Sequence, residues 1–157
     1  MEKREIYLIL YNIRSRENVG SIFRTADAAG VKKIYLCGIT PTPPHQKISK
    51  TALGAETFVP WEYHKQAWRL LLKLKNKNEK LKIVGLEQTK DAVDIFKFRP
   101  SPAGGSLALV LGNEVNGLSP QILRYCDKKI AIPMYGRKES LNVAVAAGVA
   151  LFQIIRN

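Results

Sequence analysis

Apolar runs in this chain are short, and they stop abruptly on glycine or polar residues. Three such junctions stand far apart. They are Asn18-Val19-Gly20-Ser21-Ile22-Phe23-Arg24-Thr25, then Leu109-Val110-Leu111-Gly112-Asn113-Glu114-Val115-Asn116-Gly117-Leu118-Ser119, then Ile132-Pro133-Met134 running on to Ser140-Leu141-Asn142-Val143. Compact apolar segments bounded by turn signals suit strands buried on both faces. Polar and glycine residues at their ends are where an α/β domain exposes its chemistry.

The pattern predicts a strand at 6–10, a polar turn at 12–16, and a helix from Asn18 with Ile22, Ala26 and Ala29 on one face, ended by Gly30. A strand at 33–37 follows. Pro41, Pro43 and Pro44 make 38–45 an extended loop. A short helix or turn is expected at 48–53, a strand at 57–61, and a surface helix at 65–75 with Trp68, Leu71 and Leu72 inward. Next come a strand at 82–86, a loop through Pro100 and Pro102, and a strand at 107–111. A helix is capped by Ser119 with Pro120 in its first turn, then a strand at 129–132 and a helix at 141–156 complete the order. Strands alternating with helices predict an α/β fold with a mainly parallel sheet flanked by helices. With no repeat, linker or low-complexity tract, residues 1–157 are expected to be a single domain with no second domain set apart.

A hydrophobic content of 46% excludes a disordered chain. The net charge of +12, from 25 Lys and Arg against 13 Asp and Glu, favours a polyanionic partner. That partner is nucleic acid or an anionic membrane; a membrane span is not expected, because the longest apolar stretch, 143–152, is far shorter than the roughly 20 residues a span needs. Glu2, Lys3, Arg4 and Glu5 exclude a secretory signal. Cys37 and Cys126 have no metal spacing, and His45 and His64 are remote from them in sequence, so reduced thiols of a cytoplasmic protein are expected. Between Lys65 and Lys82, seven of eighteen residues are basic, which suits either a solvated face or RNA contact.

The segment from Gly112 to Ser119 imitates a phosphate-binding P-loop but has Leu118 where lysine belongs, and Glu114 would repel a triphosphate. Its glycines instead let backbone approach a ligand closely. A Rossmann-type enzyme is excluded too, since Tyr11-Asn12-Ile13-Arg14-Ser15-Arg16 after the first strand has no glycine fingerprint. N-capping explains one of Ser140 and Asn142, not both. The terminal helix is apolar on several faces, with Val145, Val149 and Phe152 on one and Val143, Ala147, Leu151 and Ile154 on another, which suits burial between subunits of a homodimer.

Taken together and in this order, the three motifs resemble those of the TrmH/SpoU family of RNA ribose 2′-O-methyltransferases, within the SPOUT superfamily. The resemblance runs from the first strand near Ile6 to the last helix. It implies a C-terminal deep trefoil knot, dimerisation, S-adenosyl-L-methionine as cofactor with S-adenosyl-L-homocysteine as product, and tRNA or rRNA as substrate, with no metal. By the same resemblance Arg24, Asn18, Glu114, Ser140 and Asn142 are catalytic. Leu111, Gly112, Asn113, Gly117, Ile132, Met134 and Leu141 hold the cofactor. Arg14, Arg137 and Lys138 flank this site and suit RNA contact, and Tyr135 suits stacking on one base. The matching arginine in the family is proposed to deprotonate the ribose. Guanidinium is so weak an acid that gripping a phosphate and stabilising alkoxide charge fit Arg24 better. The alternative from another class is a non-catalytic RNA-binding protein of the same fold.

Overall fold

In the computed structural model, which describes residues 3–100 and 105–157, the apolar runs form a single sheet. Its strands are β1 (Glu5–Tyr11), β2 (Lys33–Cys37), β3 (Trp61–His64), β4 (Lys82–Leu86), β5 (Val93–Asp94), β6 (Ser106–Leu111) and β7 (Lys128–Ala131). Their order is β3-β2-β1-β6-β4-β7-β5, and each adjacent pair is parallel. The helices are α1 (Arg16–Ala29), α2 (Gln46–Ala52), α3 (Ala67–Lys77), α4 (Pro120–Arg124) and α5 (Val143–Arg156). A mainly parallel α/β sheet flanked by helices is therefore what the chain adopts.

Side chains alternate between the two faces along each strand, as a two-residue period requires. Leu8 and Leu10 of β1, Leu109 and Leu111 of β6 and Val84 of β4 join Phe23 of α1 and Leu151 of α5 in one core. Ile9, Val110 and Ile83 face the other way and meet Leu70 and Leu71 of α3 and Ile122 of α4. Parallel strands place all their carboxyl ends on one edge, so the loops after β1, β4, β6 and β7 meet there.

Local chemistry sets the helix ends. Ser15 Oγ accepts the Asn18 N–H at 3.1 Å to open α1, and Gly30, at φ 73°, closes it in the left-handed conformation that glycine tolerates. Ser119 Oγ accepts the Ile122 N–H at 3.3 Å, with Pro120 in the first turn of α4 as expected.

Several expectations are corrected. The strand at 57–61 is a 3-10 turn followed by β3, because the Thr57 N–H and hydroxyl both donate to Gly54 O and the chain joins β2 only at Pro60. The surface helix starts later than 65, and its inward face is Ala67, Leu70 and Leu71, with Trp68 half-buried and Leu72 43% exposed. The first helix opens at Arg16, within the expected turn. The last opens at Val143, because Asn142 is its cap. That helix turns one of its two apolar faces inward, burying Ala147, Ala150, Leu151 and Ile154, and leaves the other at the surface, with Val145 53% and Phe152 46% exposed. Strand β5 carries no apolar run of its own and was not expected. Pro102 and Glu2 lie outside the described residues.

Candidate functional site

At the carboxyl edge of the sheet lies a cleft of about 240 Å³. Its lining comes from four segments: Leu86, Glu87 and Gln88 after β4; Leu111, Gly112, Asn113, Glu114, Val115 and Gly117 after β6; Ala131, Ile132 and Met134 at the end of β7; and Ser140, Leu141, Asn142, Val143 and Ala146 where α5 begins. All seven residues expected to hold a cofactor therefore line one cavity.

The loop after β6 is folded tightly. Asn113 Oδ1 accepts the N–H groups of Val115 and Asn116 at 2.9 Å each, and Gly117 N–H returns to Asn113 O at 2.9 Å. A Cβ on Gly112 would lie 2.5 Å from the Gly117 carbonyl carbon and 2.7 Å from Leu118 N, so no other residue fits that crossing. Asn113 Nδ2 donates to Asn12 O at 2.7 Å and ties the loop to the turn after β1. That turn is fixed in its own right, with Asn12 at φ 54° and Ile13 N–H donating to the buried Thr40 Oγ1 at 3.1 Å.

Glu114 is the hub. Its carboxylate accepts the Arg14 N–H at 3.0 and 3.1 Å, the Ser15 N–H at 3.2 Å and Asn18 Nδ2 at 3.3 Å. It thus sits against the positive N-terminus of α1, where an anion is favoured. Burial pushes its carboxyl upward, but donation from the amides of Arg14, Glu114 itself and Ser15, with Asn18, outweighs burial and holds it below the ordinary glutamate range. Asn18 then accepts from Asn142 Nδ2 at 3.1 Å through its Oδ1. Asn142 meanwhile caps α5, its Oδ1 taking the Ala144 and Val145 N–H groups at 2.9 and 3.2 Å. One chain of hydrogen bonds thus joins the first, second and third motifs across 124 residues of sequence.

Ser140 lines the cleft without acting as a cap. Arg24 stands apart: it is exposed, lies outside the cleft lining, and has no hydrogen-bond or ion-pair partner among the described residues. Six residues beyond Asn18, it is roughly 9 Å along the helix axis and roughly a third of a turn round. Arg14 enters the hub through its backbone, which leaves its exposed side chain available; Arg137 and Lys138 are exposed between the two cleft segments. Tyr135, beside Met134, is 91% exposed. Neither cysteine is a nucleophile at neutral pH, because burial pushes the Cys37 thiol up to about 12 and the half-buried Cys126 up to about 11.

Sequence reasoning missed Glu87 and Gln88. The available signal was their position directly after the strand at 82–86, at a carboxyl end like the others. No group of three or more His, Cys, Asp or Glu among the described residues is placed to hold a metal ion, and no helix among them is long and apolar enough to cross a membrane.

Comparison with known proteins places this geometry in context. The model of the SpoU rRNA methylase family matches residues 5–152. A tRNA (guanosine(18)-2′-O)-methyltransferase of Aquifex aeolicus is 36% identical across 99% of this chain and 72% of its own length. A 23S rRNA (guanosine-2′-O-)-methyltransferase of Haemophilus ducreyi is 35% identical across 96% of this chain and 59% of its own. The crystal structure of an AdoMet-bound rRNA methyltransferase from Sinorhizobium meliloti superposes with a TM-score of 0.88 at 28% identity, covering 97% of this chain and 56% of that one. This chain thus spans less than two thirds of the length of the last two.

Proposed function

Because this chain belongs to the TrmH/SpoU family of RNA ribose 2′-O-methyltransferases, we propose that it methylates a ribose 2′-hydroxyl of tRNA or rRNA with S-adenosyl-L-methionine as donor. The observation that carries this reading is the hydrogen-bonded chain Glu114–Asn18–Asn142 at the mouth of the cleft. Helix ends account for Asn142 at α5 and for Glu114 at α1, but not for the Asn18 side chain that joins the two.

The cleft fits the cofactor chemically. Apolar walls from Leu86, Leu111, Ile132 and Val143 suit an adenine, and the Gly112 crossing lets backbone approach a ligand. Two carboxylates, Glu87 and Glu114, suit a cationic ligand and would repel a polyphosphate. When bound there, S-adenosyl-L-methionine supplies an electrophilic methyl on a sulfonium. Leu111, Gly112, Asn113, Gly117, Ile132, Met134 and Leu141 hold it. Asn18, Glu114 and Asn142, locked to one another, fix the position of the target ribose, with Ser140 beside them. Arg24 grips the adjacent phosphate and stabilises alkoxide charge on the ribose oxygen as the proton leaves to phosphate or water. Positioning and electrostatics then supply most of the rate.

The exposed stripe of Val145, Phe152 and Ile155 on α5 suits a second copy of this chain, and we take the working unit to be a homodimer. The segment that carries Ile132 to Val143 is taken to thread as a deep trefoil knot, with Arg137, Lys138 and Arg14 meeting RNA around the cleft. Incubation with methyl-labelled cofactor and fractionated cellular RNA tests the reading: label should enter tRNA or rRNA. Cofactor or RNA binding without any transfer would instead support the non-catalytic RNA-binding alternative.

A further inference from the structure

Glu87 stands directly after β4 on the wall of the cleft. Its N–H donates to Ile130 O at 3.0 Å, so the residue extends the β4–β7 ladder and is not part of a loose loop. Oε2 accepts the Leu118 N–H at 2.5 Å, and Oε1 accepts the Gln88 N–H at 3.2 Å. The same carboxylate accounts for Gly117: a Cβ there would lie 2.1 Å from Oε2, and the backbone φ is 65°.

A carboxylate offers about four lone-pair sites. Two are used here, and Glu87 is in none of the ion pairs formed among the described residues. Glu87 lines the cleft, so its unused acceptor capacity is open to the donors of a ligand there. Vicinal hydroxyls match the spacing of two carboxylate oxygens, and an acidic residue at a strand end takes ribose hydroxyls in dinucleotide sites for that reason. The position agrees. Gln88 Nε2 donates to Ile132 O at 2.8 Å, which joins this wall to the one expected to hold the adenine. Glu114, the other carboxylate, is committed to the α1 N-terminus.

We propose that the Glu87 carboxylate accepts the ribose hydroxyls of the cofactor while its Oε2 holds the Gly117–Leu118 turn in place. The proposal rests on the methyltransferase reading above. It makes Glu87 a ligand contact that selects a ribonucleoside over a deoxyribonucleoside.

The test is calorimetric titration of S-adenosyl-L-homocysteine and its 2′-deoxyribose analogue into the wild-type protein, Glu87→Gln and Glu87→Ala, with melting temperatures recorded alongside. Glu87→Gln keeps a carbonyl oxygen for the Leu118 N–H. Wild type is expected to prefer the hydroxylated ligand about tenfold or more, as a charge-assisted hydrogen bond allows. That ratio should fall at least about threefold in folded variants. A simple loss of loop order would weaken both ligands alike and leave the ratio standing, which overturns the proposal. Equal binding of the two ligands by wild type overturns it as well, whatever the variants do. Binding of neither ligand by wild type would overturn the methyltransferase reading, and this one with it.

Discussion

Arg24 has the heaviest chemical assignment and no protein partner among the described residues. A guanidinium left exposed beyond a preorganised cluster is suited to a substrate that arrives from solution, and a phosphate takes it bidentately. Arg24→Ala should therefore reduce methyl transfer by roughly 100-fold or more while S-adenosyl-L-homocysteine affinity stays within about twofold. Equal losses in both would place Arg24 in the cofactor site. Glu114 makes the opposite case, because the protein already satisfies it. Its carboxyl is held below the ordinary glutamate value, so the closure it provides is fully present above the unfolded-chain pKa and is lost as pH falls through the lower folded value. The Arg14 and Ser15 amide resonances should titrate together below about pH 4.3, the ordinary glutamate value. That transition should vanish in Glu114→Gln. Titration at or above the ordinary value would contradict the hub. Glu114 was legible in the sequence because glycine and asparagine surround it, whereas Arg24, between Phe23 and Thr25, reads locally as a helix-flank arginine and was marked only by the family resemblance. Glu87 was passed over although it stands directly after the strand at 82–86, because its contact with Leu118, 31 residues away, is made only by the fold.

The elements that the sequence revealed are those whose stability is local or fully buried. Helix α1 has its cap, its apolar face and its terminal glycine in one continuous stretch, and β6 is an unbroken apolar run. Strand β3, Trp61–His64, has no inward run of its own; it is held by the ladder to β2 at the sheet edge, which no local pattern encodes. In α3 the leucines at 70, 71 and 72 leave the helix phase open by one residue, and packing of Leu70 and Leu71 under the sheet settles it. Contact between α1 and α2 is a further feature of element packing. A Cβ on Gly20 would lie 2.0 Å from Thr51 Oγ1 and 2.2 Å from Ile48 O, so the helices touch at backbone distance. Gly20→Ala should cost about 1–3 kcal/mol through overpacking, measured by denaturant unfolding, although alanine favours helices. A neutral or stabilising effect would show that the two helices are less tightly opposed.

Across the whole molecule, charge and topology act together. The carboxyl edge of a parallel sheet gathers four segments into one cleft, and the chain that carries it has a net charge of +12. RNA binding should then be dominated by phosphate contacts, with log affinity falling by roughly 0.7–0.9 per contact for each tenfold rise in salt. Replacing Arg14, Arg137 and Lys138 together by alanine should flatten that slope by about three contacts' worth. Replacing Lys73 and Lys77 on α3 asks the same of the opposite sheet face. An unchanged slope in either case removes that surface from the interface. The central claim, that the convergence of Glu114, Asn18 and Asn142 builds a ribose methylation site, is tested most directly by where the methyl group arrives. A 2′-O-methyl group blocks the neighbouring hydroxyl from attacking the phosphodiester, so alkaline digestion of RNA labelled by this protein should leave the label in alkali-stable dinucleotides. Label recovered instead in mononucleotides, as a methyl group on the base, would contradict the account.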